Sequence, residues 1–413
     1  MTILGSAGSL ARSFLTLLNK ASLDQHDPIH QKLYNSTIHL IDYKQRPLNY
    51  YQSICPNLIH QLTIHQIDLK DTIILRNYLR ESHTSIVIDV SLADTVEMLD
   101  CCNQLGVHYV NSALENIYIH DHANDYKGFP LIERLRFFEK YKVEYANLKA
   151  IICSGMNPGV VQWMAIELMN NYPSEQPLAC LIVEQDSSFL KLGTSAKKNT
   201  FYTTRPPDCF LTSAIQSLPM FMQNRTPLFL YEQVHDLEFR ATLGDKQFHG
   251  CLMPNEAVYF LCKQFDLEGG FLYKGTDHAK SLFRGNVNYK GTLDKNIVAP
   301  LPSSLDGENL VGVLLVYPDK ERYMYHVLAN EVVMEHYKTN AAYFQAASGL
   351  YAALAVILND SIGNGVYSVD ELLLKTNNHY GQYLSYQLTD FVCGENAQTD
   401  GLLLERMKNL RSS

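Results

Sequence analysis

The sequence predicts an α/β protein with an N-terminal Rossmann-type parallel sheet and a second α+β domain. In the first 160 residues, short apolar runs alternate with amphipathic stretches, which is the pattern of parallel strands joined by crossover helices. From Leu178 onward, longer segments of alternating polarity are separated by polar loops, which is typical of a mixed or antiparallel sheet. The length of 413 residues is sufficient for two or three domains.

The predicted strands of the first sheet are short and β-branched or aliphatic, and each is followed by polar or glycine-containing residues. They are Thr2–Leu4, Ile38–Ile41, Leu62–Ile67, Ile86–Val90, His108–Val110 and Ala150–Cys153. The helices between them, which carry apolar residues at helical spacing, are Ser9–Asn19, Thr72–Arg80, Ala93–Leu105 and Leu131–Lys140. The first strand is shorter than the usual length of about five residues, so its completeness stays open.

The predicted boundaries place the nucleotide-binding domain at residues 1–158, the second domain at 159–339 and a C-terminal helical segment at 359–413. The strand candidates in the second half are Leu178–Glu184, Leu228–Tyr231 and Gly312–Tyr317. Residues 302–309 form its clearest turn cluster. The Ala- and Gly-rich residues 340–358 form a helix that can pack closely, and we expect it to return to the first domain.

The composition excludes several classes of protein. Lys and Arg number 34 against 43 Asp and Glu, so nucleic acid is not an expected partner, whereas a cationic substrate would be attracted. Nine cysteines without a C-x-x-C pair favour a reducing, cytoplasmic environment over a disulfide framework. Apolar stretches such as Leu350–Leu358 are shorter than the roughly 20 residues of a membrane span, and no signal-peptide pattern opens the chain, so no membrane is expected.

A glycine-containing turn between the first strand and the first helix is a candidate phosphate site, because backbone N–H groups and the helix dipole can hold a pyrophosphate there. The candidate cofactor contacts are Ser6, Ala7, Gly8, Ser9 and Leu10. The best register of G-x-G-x-x-G/A is Ser6, Gly8 and Ala11, with Ser in place of the first Gly. An ordinary βα turn is the alternative.

Asp42 ends the second predicted strand. A carboxylate at this position can accept hydrogen bonds from the ribose hydroxyls of adenosine and would repel a 2′-phosphate. The sequence therefore favours NAD over NADP, and a solvated acid at the strand end is the alternative.

Polar residues also follow the fourth and fifth strands. Asp89 and Ser91 close the fourth strand, and Asn111 and Glu115 follow the fifth. Because the carboxyl ends of parallel strands meet at one edge of the sheet, we expect all four to face one crevice as contacts to cofactor or substrate. The alternatives are a helix cap for Asp89 and a surface loop acid for Glu115.

The segment Gly155-Met156-Asn157-Pro158-Gly159 follows the sixth strand and opens a helix. Pro158 suits the first helical position, and Asn157 suits the N-cap. A cap at this edge of the sheet also directs its amide toward a nicotinamide or a substrate. A cap that contacts the ligand and a cap alone are the two interpretations.

These motifs and several others occur in the order found in bacterial homospermidine synthase, a member of the saccharopine dehydrogenase-like superfamily, which the chain resembles over about residues 1 to 358. The other motifs are Tyr109-Val110-Asn111-Ser112-x-x-Glu115, Val183-Glu184-Gln185-Asp186-Ser187, Asn199-Thr200, Met253-Pro254-Asn255-Glu256-Ala257, Gly312-Val313-Leu314-Leu315 and Asn340-Ala341-x-x-x-Gln345-x-x-x-Gly349.

The resemblance implies a Rossmann domain, a second domain for substrate binding and dimerisation, tightly bound NAD and a homodimer. It implies that putrescine is oxidised at a C–N bond, that ammonia is lost, and that a second putrescine forms a Schiff base to which the hydride returns, giving homospermidine. The site residues that it implies are Glu184, Glu256 and Asn157 as catalytic groups, with Glu115, Asp89, Phe201 and Asp306 in substrate binding.

The charges of these residues agree with that chemistry. A diamine is a dication at neutral pH and needs carboxylates at both ends, and an amine must lose a proton before hydride can leave its carbon. For Glu184 the alternative is an acid at the sheet end that faces solvent. For Glu256 it is a first-turn acid that stabilises the helix dipole.

Three positions depart from the resemblance. Phe201 stands where the family has a tryptophan that stacks on the diamine, and phenylalanine is the weaker cation–π partner. Pro254 replaces a histidine, whose role is either missing or filled by His249. Asn309 stands where a second acid is expected after Asp306.

Two other functions stay open. An enzyme that forms a C–N bond between an amine and an oxo acid needs cations for the carboxylate, and the candidates are Lys191, Lys197, Lys198 and Arg205. A non-catalytic protein that binds polyamine or dinucleotide is the other possibility, which Phe201 and Pro254 favour. No metal site is expected, because His120 and His122 have no third ligand at a useful spacing in the sequence.

Overall fold

The computed structural model describes residues 1–122, 125–191, 194, 201–204, 212–275, 297–298 and 300–409. These residues form a parallel sheet and a larger mixed sheet, both with helices packed against them. The predicted fold class is confirmed.

The N-terminal sheet has seven parallel strands. They are β1 (Thr2–Leu4), β2 (Ile38–Asp42), β3 (Leu62–Gln66), β4 (Ile86–Asp89), β5 (His108–Asn111), β6 (Lys149–Ile151) and the later strand Gly365–Tyr367. Across the sheet, the order is Gly365–Tyr367, β6, β5, β4, β1, β2, β3. The strand order reverses between β1 and β4, and ligands of open parallel sheets bind at the carboxyl edge beside such a switch point.

Helices cover both faces of this sheet because consecutive strand residues point to opposite sides. Ile3 packs in one buried cluster with helix α1 (Ser9–Leu23) and the helix Ala341–Asn359. Leu4 packs in the cluster on the other face. The helices of this half that contribute to that second cluster are Thr72–Glu81, Thr95–Leu105 and Pro130–Lys142. The shorter helices of this half are His30–Tyr34, Leu48–Ile54, Pro56–Gln61 (3-10) and Ile117–Asp121.

The second sheet is mixed and has ten strands. Eight of them lie in the order Val392–Asn396, Glu321–Ala329, Glu308–Val316, Ala179–Asp186, Glu268–Lys274, Lys246–Met253, Leu237–Leu243, Met407–Asn409. The other two, Met220–Gln223 and Thr226–Phe229, form a hairpin beside Glu268–Lys274. The central strands Ala179–Asp186 and Glu268–Lys274 are parallel, whereas the other pairs are antiparallel.

The remaining elements connect these layers. The helices are Val160–Asn170, Thr212–Gln216 (a π turn), Glu256–Phe265, Pro302–Ser304 (3-10), Asn330–Tyr337, Val369–Lys375, Tyr380–Leu384 and Leu403–Arg406 (3-10). Two-residue strands pair Phe189–Leu190 with Leu305–Asp306, and Phe201–Tyr202 with Ile297–Val298.

Among the described residues, one helix, Ala341–Asn359, has the length and apolarity of a membrane span, and it is mostly buried in the protein. It packs along α1, and Ser154 Oγ donates a hydrogen bond of 2.9 Å to the Gly349 carbonyl oxygen. A Cβ at Gly349 would overlap the carbonyl oxygen of Gly155, so only glycine permits this approach. The helix therefore joins the second half of the chain to the parallel sheet.

The prediction of a helical segment at 359–413 is wrong for much of its length. The structure has three strands there beside the helices, and the strand Gly365–Tyr367 extends the parallel sheet next to β6. The strands Val392–Asn396 and Met407–Asn409 pair with edges of the second sheet. Whether these short segments form strands depends on their pairing with strands distant in the sequence, which local periodicity does not indicate.

An ion pair connects the helices Pro130–Lys142 and Val369–Lys375. The ammonium of Lys142 donates to the carboxylate of Glu371, and both side chains are largely buried. Burial alone would raise the pKa of Glu371, but the charge and hydrogen bond of Lys142, together with the bond from Lys375, lower it to about 2.

We expect Lys142→Met to lower the free energy of unfolding by about 1 to 2 kcal/mol at neutral pH. Because the native pKa of Glu371 lies below its ordinary value of 4.5, the pair stabilises the fold above that pH and loses its effect as the pH falls toward about 2. Urea unfolding near pH 7, 5 and 3.5 should show the difference from the wild type shrinking in acid. A difference that stays constant would show that Lys142 does not set the pKa of Glu371.

Candidate active site

A cleft of about 690 Å³ lies at the carboxyl edge of the parallel sheet, beside the switch point. We call it the switch-point cleft. Its walls include the turn after β1, Asp42 at the end of β2, and Val90 and Ser91 after β4. This volume is in the range of small-molecule and cofactor sites.

Gly5 and Gly8 determine the shape of the turn after β1. Gly5 has a φ of +76°, and a Cβ there would lie 2.8 Å from Ser91 Cα. Gly8 is the N-cap of α1, and no side chain of the described residues caps this helix end. The N–H groups of Ser9 and Leu10 therefore have no partner within the helix and are available to a phosphate.

Asp42 holds this turn in place and also lines the switch-point cleft. Its Oδ2 accepts a hydrogen bond of 2.9 Å from Ala7 N, and its Oδ1 accepts one of 2.9 Å from Lys44 N. Each carboxylate oxygen keeps further acceptor capacity for a ribose hydroxyl. Lys44 and Arg46 line the cleft as well, which the sequence analysis did not predict.

Asp89 does not line the switch-point cleft, so the structure does not support its predicted contact with cofactor and substrate. The side chain is buried, and its carboxylate accepts hydrogen bonds from Ser91 N, Ser91 Oγ and Tyr109 OH at 2.6 to 2.9 Å. Burial raises the pKa of Asp89. Asp89 therefore positions Ser91, which does line the cleft.

Asn111 and Ser6 likewise make contacts inside the protein instead of lining the switch-point cleft. Asn111 Oδ1 accepts a hydrogen bond of 2.8 Å from Cys153 N, and its Nδ2 donates to Tyr109 OH. The hydroxyls of Ser6 and Tyr51 lie 3.2 Å apart in the buried region under the turn. Their predicted contacts with the cofactor are therefore not supported.

A second cavity, of about 180 Å³, lies between the carboxyl edge of the parallel sheet and the second sheet. Of the predicted residues, Leu10, Glu115, Asn157, Glu184 and Glu256 line it. The charged side chains among its described lining residues are three glutamates and one arginine. We call it the acidic cavity.

The second domain contributes Glu184 and Glu256. Glu184 is buried in a central strand of the second sheet, where it is paired in register with Val311 and Tyr273. Glu256 is the first residue of its helix, and the Asn255 side chain caps this helix by accepting from Ala257 N. Both glutamates line the acidic cavity, so neither is a solvated end acid.

Asn157 lines the acidic cavity with an amide whose Oδ1 and Nδ2 are both buried and have no hydrogen-bond partner among the described residues. The predictions of Asn157 as N-cap and of Pro158 as first helical residue are wrong. Gly159, with a φ of +125°, is the N-cap, and the helix begins at Val160. The peptide bond between Asn157 and Pro158 is cis. Two unpartnered polar atoms in a cavity indicate a polar ligand.

Glu115 forms an ion pair of 3.3 Å with Arg134, and both side chains are largely buried. Arg134 belongs to the helix Pro130–Lys142, and the sequence analysis did not single it out as a site residue. Its role in the cavity was therefore missed. Asn309 and Tyr343, which also line the cavity, come from the second half of the chain.

Several other residues considered in the sequence analysis do not line the acidic cavity. Asp306 does not line the acidic cavity, and its carboxylate accepts a hydrogen bond from Gly307 N within a turn, so its predicted substrate contact is not supported. His249 and Lys191 also do not line it, whereas Pro254 does. The side chain of Phe201 and the residues Lys197, Lys198, Asn199, Thr200 and Arg205 lie outside the described residues. The described part of the chain has no group of three metal-ligating side chains.

Solved structures with this architecture include those of two enzymes. The homospermidine synthase of Legionella pneumophila, crystallised with NAD, has a TM-score of 0.73 and 16% sequence identity, over 97% of this chain and 91% of that one. The predicted resemblance to homospermidine synthase is confirmed for the fold. The glutamate-forming saccharopine dehydrogenase of Saccharomyces cerevisiae has a TM-score of 0.57 and 11% identity, over 96% and 98% of the two chains. No protein-family model and no curated protein matches the sequence.

Proposed function

We propose that the protein is an NAD-dependent enzyme of the homospermidine synthase type, which transfers an aminobutyl group between diamines. The observation that carries the proposal is the acidic cavity, where three glutamates and the Asn157 amide, which has no partner in the described part of the chain, lie beside a cleft suited to a dinucleotide. The shared fold with an NAD-bound homospermidine synthase supports it.

The switch-point cleft fits NAD by its donors and acceptors. The uncapped N-terminus of α1 and the turn of Gly5 and Gly8 would hold the pyrophosphate, and Asp42 would accept from the adenosine ribose. When bound, NAD supplies a reversible hydride acceptor. Leu10 lines the acidic cavity only two residues after Gly8 lines the cleft, so cofactor and substrate would meet at this turn.

The acidic cavity would bind putrescine through its carboxylates. Glu184 and Glu256 would hold ammonium groups, and one of them would take the proton that an amine must lose before its carbon gives up hydride. Asn157 would orient the reacting nitrogen through its side-chain amide, whose atoms make no hydrogen bond to the described residues. In the balanced reaction, two putrescine molecules form homospermidine and ammonia, with no net oxidation.

A second candidate is an oxidoreductase that joins an amine to an oxo acid, as the fold shared with saccharopine dehydrogenase allows. Arg134 in the acidic cavity is the observation that favours it. Because Arg134 already pairs with Glu115, the described lining residues of the cavity include more carboxylates than cations, which favours diamines. Mass spectrometry after incubation with NAD and putrescine, and separately with NADH, lysine and an oxo acid, decides between the two. Absence of any product would favour a non-catalytic binding protein.

We expect the protein to bind NAD more tightly than NADP, and we expect Gly8→Val to weaken NAD binding at least tenfold. A valine side chain at the N-cap would occupy space in the cleft and approach the Gly5 carbonyl oxygen, which lies 3.2 Å from a Cβ built on Gly8. Titration calorimetry measures both affinities, and Gly363→Val in an exposed loop is the control. Tighter NADP binding, or unchanged NAD binding by the Gly8 variant, would contradict the assignment of the cleft.

We also propose that the enzyme is a homodimer in the cytoplasm. Light scattering of the purified protein tests the first statement, and fractionation of cells tests the second.

A further inference from the structure

A buried row of three polar side chains runs from the acidic cavity into the second domain. Asn309 Nδ2 donates a hydrogen bond of 2.8 Å to Gln345 Oε1, and Gln345 Nε2 lies 3.0 Å from His326 Nδ1. All three side chains are at most 4% exposed. We call this row the amide relay. Asn309 is the member that lines the cavity, and its Oδ1 is buried without a partner among the described residues.

The backbone carbonyl of Asn309 determines which way the side-chain amide of Gln345 is oriented, and therefore the direction of the hydrogen bonds in the relay. Gln345 Nε2 also lies 3.4 Å from the Asn309 carbonyl oxygen, which can only accept a hydrogen bond. If the Gln345 amide were reversed, its oxygen would face this carbonyl oxygen, and the two would repel each other. Gln345 therefore presents its oxygen to Asn309 Nδ2, and Asn309 must turn its own oxygen toward the cavity.

The protonation state of His326 agrees with this direction of hydrogen bonding. Burial lowers its pKa to about 4, against smaller opposing effects of Asp390 and the Thr389 backbone, so the ring is neutral near pH 7. A neutral ring has one bare nitrogen, and the contact with Gln345 Nε2 assigns that role to Nδ1. In both contacts of the relay, a hydrogen-bond donor therefore faces an acceptor.

We propose that Asn309 is a specificity-determining residue that accepts a hydrogen bond from an N–H group of the substrate, with Gln345 and His326 as positioning residues. The proposal rests on the proposed function and narrows it, because the group at this point of the cavity must be a hydrogen-bond donor such as an amine or ammonium. A substrate carboxylate would face the lone pairs of Asn309 Oδ1, and its binding there would be unfavourable.

The first test is calorimetric titration of putrescine into the NAD complex. Asn309→Leu removes the acceptor and should weaken putrescine binding at least tenfold. Asn309→Asp keeps an acceptor toward the cavity but loses the donor to Gln345, so it should stay within about threefold of the wild type. If Asn309 is merely structural, both variants lose affinity, and if it is uninvolved, neither does. Either result overturns the proposal. Unchanged NAD affinity shows that the variants are folded.

The second test needs no substrate. The ¹⁵N chemical shifts of histidine-labelled protein near pH 7, assigned with His326→Gln, should show His326 neutral and protonated at Nε2. A proton at Nδ1 would require Gln345 to present its oxygen to the ring, and Asn309 would then turn an NH₂ group to the cavity, which overturns the proposal. If the wild type binds NAD but no putrescine, the proposed function fails, and the tautomer of His326 still decides whether Asn309 is an acceptor.

Discussion

We expect Glu256→Gln to lower amine turnover by about 30-fold to 4,000-fold while NAD affinity stays unchanged. The variant keeps the shape of the side chain but removes its negative charge from the acidic cavity. Among the described lining residues, the only cation is Arg134, which already pairs with Glu115. Loss of a largely buried charge partner removes about 2 to 5 kcal/mol of stabilisation, which corresponds to that range of rates. Steady-state kinetics with putrescine, together with calorimetry for NAD, measures both quantities.

Glu331→Gln is the matched control for this experiment. Like Glu256, Glu331 lies in the first turn of a helix, but it is exposed and does not line the acidic cavity. Interaction of a first-turn acid with the helix dipole is worth about 0.3 to 1 kcal/mol of stability, and both variants should lose that amount. If turnover by the Glu256 variant matched that of the control, the carboxylate would serve only the helix, and its place in the proposed mechanism would be withdrawn.

The largest effect on stability should come from Arg406→Met, which we expect to lower the free energy of unfolding by about 3 to 5 kcal/mol. Arg406 pairs with Glu321, and the two side chains are 0% and 1% exposed. The Glu321 carboxylate also accepts hydrogen bonds from Asp400 N at 2.8 Å and Asn396 Nδ2 at 2.9 Å. Without Arg406, a carboxylate would remain buried with neutral donors alone, which is the costly outcome for a broken buried pair. Urea unfolding measures the loss.

Two comparisons identify the cause of this loss. Adding Glu321→Gln to the Arg406 variant removes the buried charge and should recover part of the stability. Lys263→Met, which breaks an exposed pair with Glu139, should cost no more than about 1 kcal/mol. If the double variant were less stable than the Arg406 variant, the loss would come from side-chain packing and not from an unpaired carboxylate.

The parallel sheet could be predicted because its signals are local. Local patterns alone predict a strand and its carboxyl end. Examples are Ile38–Ile41 followed by Asp42, and Ile86–Val90 followed by polar residues. The glycine turn after β1 was recognisable for the same reason. The strands near the C-terminus were not, because Val392–Asn396 and Met407–Asn409 exist only as partners of strands formed by residues 321–325 and 237–239.

For the candidate site, residue type was easier to predict than side-chain direction. Asp89 and Asp42 both end strands, yet Asp42 lines the switch-point cleft while Ser91 and Tyr109 turn the carboxylate of Asp89 inward. Arg134 was not among the predicted site residues, and only the structure places it beside Glu115. These differences depend on the hydrogen-bond partners that folding brings near each group, which single positions do not reveal.

The sequence by itself determined the parallel sheet, the glycine-containing turn after β1 and the excess of acidic residues over basic ones. Only the tertiary structure decided which of these residues share a cavity: Asn157, Glu184, Glu256 and Asn309 come from four separate segments. The physical reason is that strands, helices and turns follow from short-range periodicity and backbone sterics, whereas a binding site follows from the packing of two sheets against each other. The orientation of Asn309 depends on Gln345 and on one carbonyl oxygen, which no sequence pattern records.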